Sequence, residues 1–220
     1  MSGSEWNQPH LIYFSDPMCS WCYGFSPVVA SIRSAFGRAL PVRLVMGGLR
    51  PGTGTPMTDK AKSEIVGHWQ HVAEAAHLPF DGAVLDSPDF CYDTDPAARA
   101  VVWVRRHDPE LALTFLGDLQ SAFYARNRNI TQPDILAQMI GERGLDASAF
   151  LADFASESLK NETWSDYGTS QRAGVTGFPT LVAGPNAQGA YGVVTRGFQP
   201  GPQVLAVLHG WLEGVETGTA

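Results

Sequence analysis

The residues best placed to do chemistry are Cys19-Ser20-Trp21-Cys22. Two sulfurs three positions apart meet when their segment forms the first turn of a helix, so they can close a disulfide without straining the backbone. An apolar run, Leu11-Ile12-Tyr13-Phe14, precedes the pair and a helix-like stretch follows it. At such a strand-to-helix junction the free N–H groups and the positive helix end face the first sulfur. They favour its thiolate, the form that attacks disulfides. Thiol–disulfide exchange is the chemistry this pattern supports best.

Zinc binding is the competing reading, because a CxxC pair supplies half of a tetrahedral site. A structural zinc needs four ligands, normally from a second such pair. The third cysteine, Cys91, stands alone between Phe90 and Tyr92 and is expected to be a small buried hydrophobe. His68 and His71 share an expected helix, but nothing in the sequence brings them near Cys19. No metal is therefore expected. An inert structural disulfide or thiol pair is the third reading.

The elements that must position the pair follow a β-α-β, helices, hairpin, helix order. Leu11 to Phe14 forms the first strand, and a helix from about Cys19 to Phe36 ends near Gly37, with Pro27 inside it. Pro41 to Met46 is the second strand, leaving through Gly47-Gly48; a crossover helix between two strands makes a parallel βαβ unit. From Leu49 to about Gly174 the pattern is mainly helical. Thr58-Asp59 starts a helix to about His77, Asp95-Pro96 offers an N-cap before Ala97 to His107, and Thr131-Gln132-Pro133-Asp134 resembles a capping box. Asp146 is placed to cap the helix carrying Phe150, Leu151 and Phe154. Strand signals return at Thr180 to Ala183 and Tyr191 to Thr195, separated by Gly184-Pro185-Asn186, and a last helix covers Gln203 to Leu212 before a frayed tail from Val215 to Ala220.

At 220 residues with 44% hydrophobic and 17% charged residues, the chain can bury a full core. Its formal charge of -7 argues against nucleic acid or an anionic membrane surface as a partner, since both reward basic patches. Met1 to His10 shows no secretory signal, and no apolar stretch approaches the ~18 residues that span a membrane. A cytoplasmic location is expected, where a CxxC pair is more often catalytic than structural. Phosphate-binding loops and Ser-His-Asp spacing are absent.

Strand, CxxC, helix with a proline five residues past the second cysteine, parallel strand, then a distant Gly177-Phe178-Pro179-Thr180 before a hairpin and final helix resemble the thioredoxin fold. The long helical insertion is similar to that of the DsbA-like branch. The segment Asp16-Pro17-Met18-Cys19-Ser20-Trp21-Cys22-Tyr23-Gly24-Phe25 resembles the FrnE-related group of cytosolic disulfide isomerases. The resemblance implies an α/β thioredoxin fold divided into 1–49 with 175–220, and an inserted helical domain at 50–174. It further implies a cis bond before Pro179, packed against the active-site sulfurs.

On that resemblance the activity is thiol–disulfide exchange or isomerisation on protein or peptide cysteines, with no cofactor and glutathione as a candidate co-substrate. Cys19 would attack and Cys22 resolve. The backbone of Phe178 beside Pro179 would pair with an extended substrate, and Trp21 would supply an apolar contact. Ser20 is a helix-start residue or a donor to sulfur, and Asp16 forms the turn with Pro17 rather than shuttling protons. The helical aromatics Tyr23, Phe25, Trp69, Trp103, Phe115, Phe123 and Trp164 are expected in the core. Two rivals stay open: an adaptor that delivers clients to a protease, and a kappa-class-like glutathione transferase or isomerase. The second group usually presents serine where Cys19 stands.

Overall fold

The computed structural model describes residues 8–217. Four strands, β1 (His10–Ser15), β2 (Val42–Met46), β3 (Thr180–Gly184) and β4 (Gly192–Arg196), form one sheet in the order β2-β1-β3-β4. Strand β2 runs parallel to β1, while β3 is antiparallel to both β1 and β4. Helix α1 (Ser20–Phe36) makes the crossover, α8 (Gly201–Thr217) closes the chain, and six helices lie between β2 and β3. These are α2 (Asp59–Ala76), α3 (Asp95–His107), α4 (Ala112–Arg126), α5 (Pro133–Glu142), α6 (Ala147–Phe154) and α7 (Glu157–Arg172). The architecture is a thioredoxin fold with a large helical segment inserted ahead of the third strand.

Strand β1 lies inside the sheet and is buried at every position except Ile12, which explains its apolar sequence. Its neighbour β2 would be an open edge, a liability wherever backbone groups go unpaired. The helices close it. Asp166 on α7 accepts a hydrogen bond from the Met46 N–H at 2.9 Å, and Arg105 on α3 donates to the Leu44 carbonyl at 2.8 Å. Arg105 and Asp166 also pair with each other through both terminal guanidinium nitrogens, at 2.7 and 3.1 Å. A single apolar cluster then runs through the molecule, joining Leu11, Phe25 and Leu181 to Trp69, Trp103 and Phe123.

Start signals hold where a side chain can reach its N–H groups. The Thr58 hydroxyl accepts from Ala61 N, and Asp146 accepts from Ser148 N and Ala149 N. The Thr131 capping box does not form. Helix α5 begins one residue later, with Gln132 in the capping position, and the Thr131 hydroxyl instead donates to Asn129 Oδ1 at 2.7 Å. Asp95 is inside α3 rather than at its cap, where it pairs with Arg99 and accepts from the Tyr167 hydroxyl. The expected frayed tail is helical as far as Thr217, and its last residues, 218–220, lie outside the described residues, as do 1–7. Of the helical aromatics, Trp164 is the exception to core burial: it is 54% exposed on α7.

Candidate functional site

Helix α1 begins immediately after Cys19, which occupies its N-cap with extended backbone angles and no side-chain cap. The Cys19 carbonyl accepts from the N–H groups of Cys22 and Tyr23 at 3.0 and 3.1 Å, so the two cysteines stand on one turn. Both are free thiols. They differ in access: Cys19 retains 7% exposure and Cys22 none. Burial first, then the hydrogen bond and charge of Cys19, push the Cys22 thiol well above its ordinary value. The proton on Cys22 is therefore held while Cys19 faces the groove.

The Phe178–Pro179 bond is cis, and the Cys19 thiol donates to the Phe178 carbonyl at 3.6 Å. Residues 159 positions apart in the chain thus meet at one sulfur. Pro179 is buried and Phe178 half-buried. The Phe178 ring lies over Gly47, where a Cβ would come within 2.3 Å of it, so the absence of a side chain at Gly47 sets the ring's position. Trp21 is half-buried between the two parts of the fold, 5.6 Å from the Phe198 ring and 5.9 Å from His68. With Cys19 and Phe178 it lines a groove of about 430 Å³ whose opposite side is formed by the loop after β2 and by α2.

Several residues flanking or remote from the cysteines hold their segment in place, and two of them, Tyr92 and Tyr124, carry no signal of that role in the sequence. The Tyr92 hydroxyl donates to the Met18 carbonyl at 2.8 Å, which leaves its oxygen to accept from the Tyr124 hydroxyl at 3.1 Å. Tyr23 stacks on Tyr124 with ring centres 5.2 Å apart. Asp16 makes the expected turn, its Oδ1 accepting from Met18 N at 2.9 Å. It does more than that: Oδ2 accepts from Leu49 N at 2.8 Å, tying the CxxC loop to the loop after β2. Burial, opposed by those N–H groups, pushes its carboxyl up to about 6. Behind the pair, the buried Ser15 hydroxyl beside Cys22 makes no hydrogen bond of ordinary geometry. Tyr13, on the same strand face, has its hydroxyl pushed up by burial and then by charge on Cys22.

Cys91 is half-buried rather than buried. His68 and His71 are exposed on α2, and among the described residues no group of three or more His, Cys, Asp and Glu side chains converges as a metal site requires.

A pair of thiols on a helix turn, one reachable and one sealed, facing a proline loop at the end of a sheet, defines a thiol–disulfide oxidoreductase framework. The chain belongs to the DSBA-like thioredoxin domain family, which it matches over residues 10–198. It is similar to a Nitrosomonas europaea protein provisionally described as a protein disulfide isomerase, with 32% identity, a TM-score of 0.84, and coverage of 94% of this chain and 98% of that one. It is also similar to the cytosolic disulfide reductase DsbM of Pseudomonas aeruginosa, at 27% identity and a TM-score of 0.72, covering 95% and 98% of the two chains. A further structure of DsbM is described with glutathione. Among curated proteins it resembles the ClpXP adapter protein SpxH of Shouchella clausii, 26% identical over 176 residues. That match takes in 80% of this chain but only 58% of the adapter's length. No helix among the described residues is long and apolar enough to cross a membrane.

Proposed function

We propose that this protein reduces or isomerises disulfides of peptides and proteins in the cytoplasm, with glutathione as its thiol co-substrate. The observation that carries the reading is the Cys19 thiol in the groove, bonded to the Phe178 carbonyl, with Cys22 sealed one turn behind it. Cys19 as thiolate attacks a substrate disulfide, forming a mixed disulfide and releasing one substrate thiolate, which takes up a proton. Cys22 then loses its proton and attacks Cys19 Sγ, which releases the second substrate thiol and leaves a Cys19–Cys22 disulfide. Two electrons have passed to the substrate. Two glutathione molecules reverse those steps and leave as their disulfide. If the mixed disulfide instead resolves within the substrate, the outcome is isomerisation.

In this reading Cys19 and Cys22 are catalytic, and Trp21, Phe178 and Pro179 bind substrate. Residues 1–49 and 175–220 carry the chemistry, while 50–174 supply the far side of the groove. The likeness to DsbM supports the reductive direction and the cytoplasmic location. The test is the rate at which the dithiol protein reduces a peptide disulfide, together with the reduction potential of the pair in glutathione buffers. A potential below that of the glutathione pool supports a reductase. No exchange with any disulfide in such buffers would overturn the reading. The adaptor function suggested by the likeness to SpxH would then take its place, with partner binding that survives loss of Cys19.

A further inference from the structure

We propose that Arg50 is the carboxylate anchor of the groove and makes its preferred small thiol an acidic cysteine peptide of the glutathione type. The inference rests on the thiol–disulfide reading above and adds to it the residue that selects the thiol. Arg50 follows the Gly47-Gly48 exit from β2, and its backbone is fixed from both sides by one residue. Its N–H donates to the Thr94 hydroxyl at 3.1 Å, and its carbonyl accepts from Thr94 N at 3.3 Å. The guanidinium carbon lies 5.2 Å from the centre of the Tyr92 ring. That ring belongs to the side chain holding the Met18 carbonyl, one residue before Cys19. The cation thus lines the same groove as the reacting sulfur, with the Tyr92 ring beside it.

The Arg50 guanidinium makes no ion pair or hydrogen bond with another described residue. Arg99, Arg105, Arg106, Arg128 and Arg143 each hold a carboxylate, whereas Arg50, which lines the groove, keeps its fork open to a ligand. A guanidinium offers several N–H donors in a planar fork that matches a carboxylate, and an aromatic support lowers the entropy lost when that bond forms. Besides Cys19 and Tyr92, the groove's other charged or titratable linings are Glu64 and His68 on α2. Glu64 reaches only Lys60, at 3.8 Å and in open solvent, so it is available to a cation and repels a polyanion. One cation on a held backbone, one carboxylate and apolar surface from Trp21, Met57 and Ile65 complement a small zwitterionic peptide. The groove volume of about 430 Å³ lies in the range that holds such ligands.

The test separates binding from exchange. The dithiol protein is titrated with S-methylglutathione, which cannot enter a disulfide, and with its dimethyl ester, which lacks both carboxylates. The parent should prefer the acid. Arg50→Gln should weaken binding of the acid by about tenfold and erase its preference over the ester, while Arg50→Lys recovers part of the loss by keeping charge without the fork. Matched thermal melts confirm that the variants are folded. Equal binding of acid and ester by the parent, or parent-like binding by Arg50→Gln, would overturn the anchor even where exchange with glutathione proceeds. Conversely, Arg50-dependent binding in a protein whose cysteines exchange with no thiol upholds the anchor and removes the oxidoreductase reading.

Discussion

The two sides of the groove differ in how they are made. The side formed by Met18 to Trp21 and Phe178 brings together a helix start and the loop before β3, and it carries the sulfur chemistry. The facing side, from Leu49 to Trp69, carries the groove's charged groups, Arg50 and Glu64, but no thiol. Changes on the first side act within reach of the reacting sulfur; the other side can be altered to change what binds while the sulfur is left untouched. Such a division lets one reaction serve different substrates, because specificity is a difference between affinities and need not involve the reacting atoms.

The strongest way to break this comparison is at the sulfur. Cys19→Ser should lower peptide-disulfide reduction by more than about 10³-fold, since removing the nucleophile removes the step itself. Changes on the facing side should cost far less. Cys22→Ser should retain the attack and accumulate mixed disulfides, which intact-mass measurement would detect. Iodoacetamide should modify Cys19 well before Cys22, whose thiol is both sealed and held protonated. Equal labelling of the two would show that the assigned roles are wrong.

Asp16 joins the two sides, and its titration gives the next largest effect. Its carboxyl is pushed up from 3.8 to about 6, chiefly by burial. A group with a higher pKa in the folded state binds more protons there, so its stabilising contribution is fully present below about pH 4 and is lost as pH rises through about 6. A displacement of about two pKa units corresponds to about 3 kcal/mol. Asp16→Asn cannot titrate. Whatever fixed cost it carries from the altered bonds to Met18 N and Leu49 N, its stability relative to the parent should therefore improve by about 3 kcal/mol between pH 4 and pH 8. Urea melts across that range provide the measurement, and a difference that stays flat would place the Asp16 pKa near its ordinary value.

Gly47→Ala sharpens the comparison from the sheet side. The added methyl would lie 2.3 Å from the Phe178 ring, so the ring must shift in the residue whose carbonyl faces Cys19. Overpacking of this kind costs about 1–3 kcal/mol. Reduction of a peptide disulfide should slow more than alkylation of Cys19 by a small reagent. Equal slowing of both would mean that the substitution acts on the thiol rather than on substrate placement.

What could be read from the sequence was local. The CxxC pair and Gly177-Phe178-Pro179-Thr180 each announce their chemistry within a few residues, and the four strands fall within about two residues of their expected bounds. Roles that come from packing were not legible. Arg50, Tyr92 and Tyr124 are far apart in the chain, and only the folded helices bring them to Met18 and Cys19. Helix α7 shows why the inserted segment is hard to resolve into elements. Its buried residues, Leu159, Thr163, Tyr167 and Ser170, have helical spacing but are half polar, so hydrophobic periodicity barely marks them. A polar stripe can be buried there because Tyr167 and Thr163 find partners in Asp95 and the Leu159 carbonyl.

The smallest effect is expected at Tyr92, which serves both sides with different atoms. Its hydroxyl holds the Met18 carbonyl, while its ring supports Arg50. Tyr92→Phe deletes the first and keeps the second. The lost bond should destabilise the fold by about 1–2 kcal/mol, because the Tyr124 hydroxyl and the Met18 carbonyl both lose a buried partner. Exchange should slow by a few-fold as the Cys19 loop loosens. The preference for an acidic over an esterified glutathione should persist, since the ring under the guanidinium is unchanged. If Tyr92→Phe abolishes that preference while exchange continues at the parent rate, the hydroxyl rather than the ring positions Arg50, and the two sides of the groove are coupled through this one side chain.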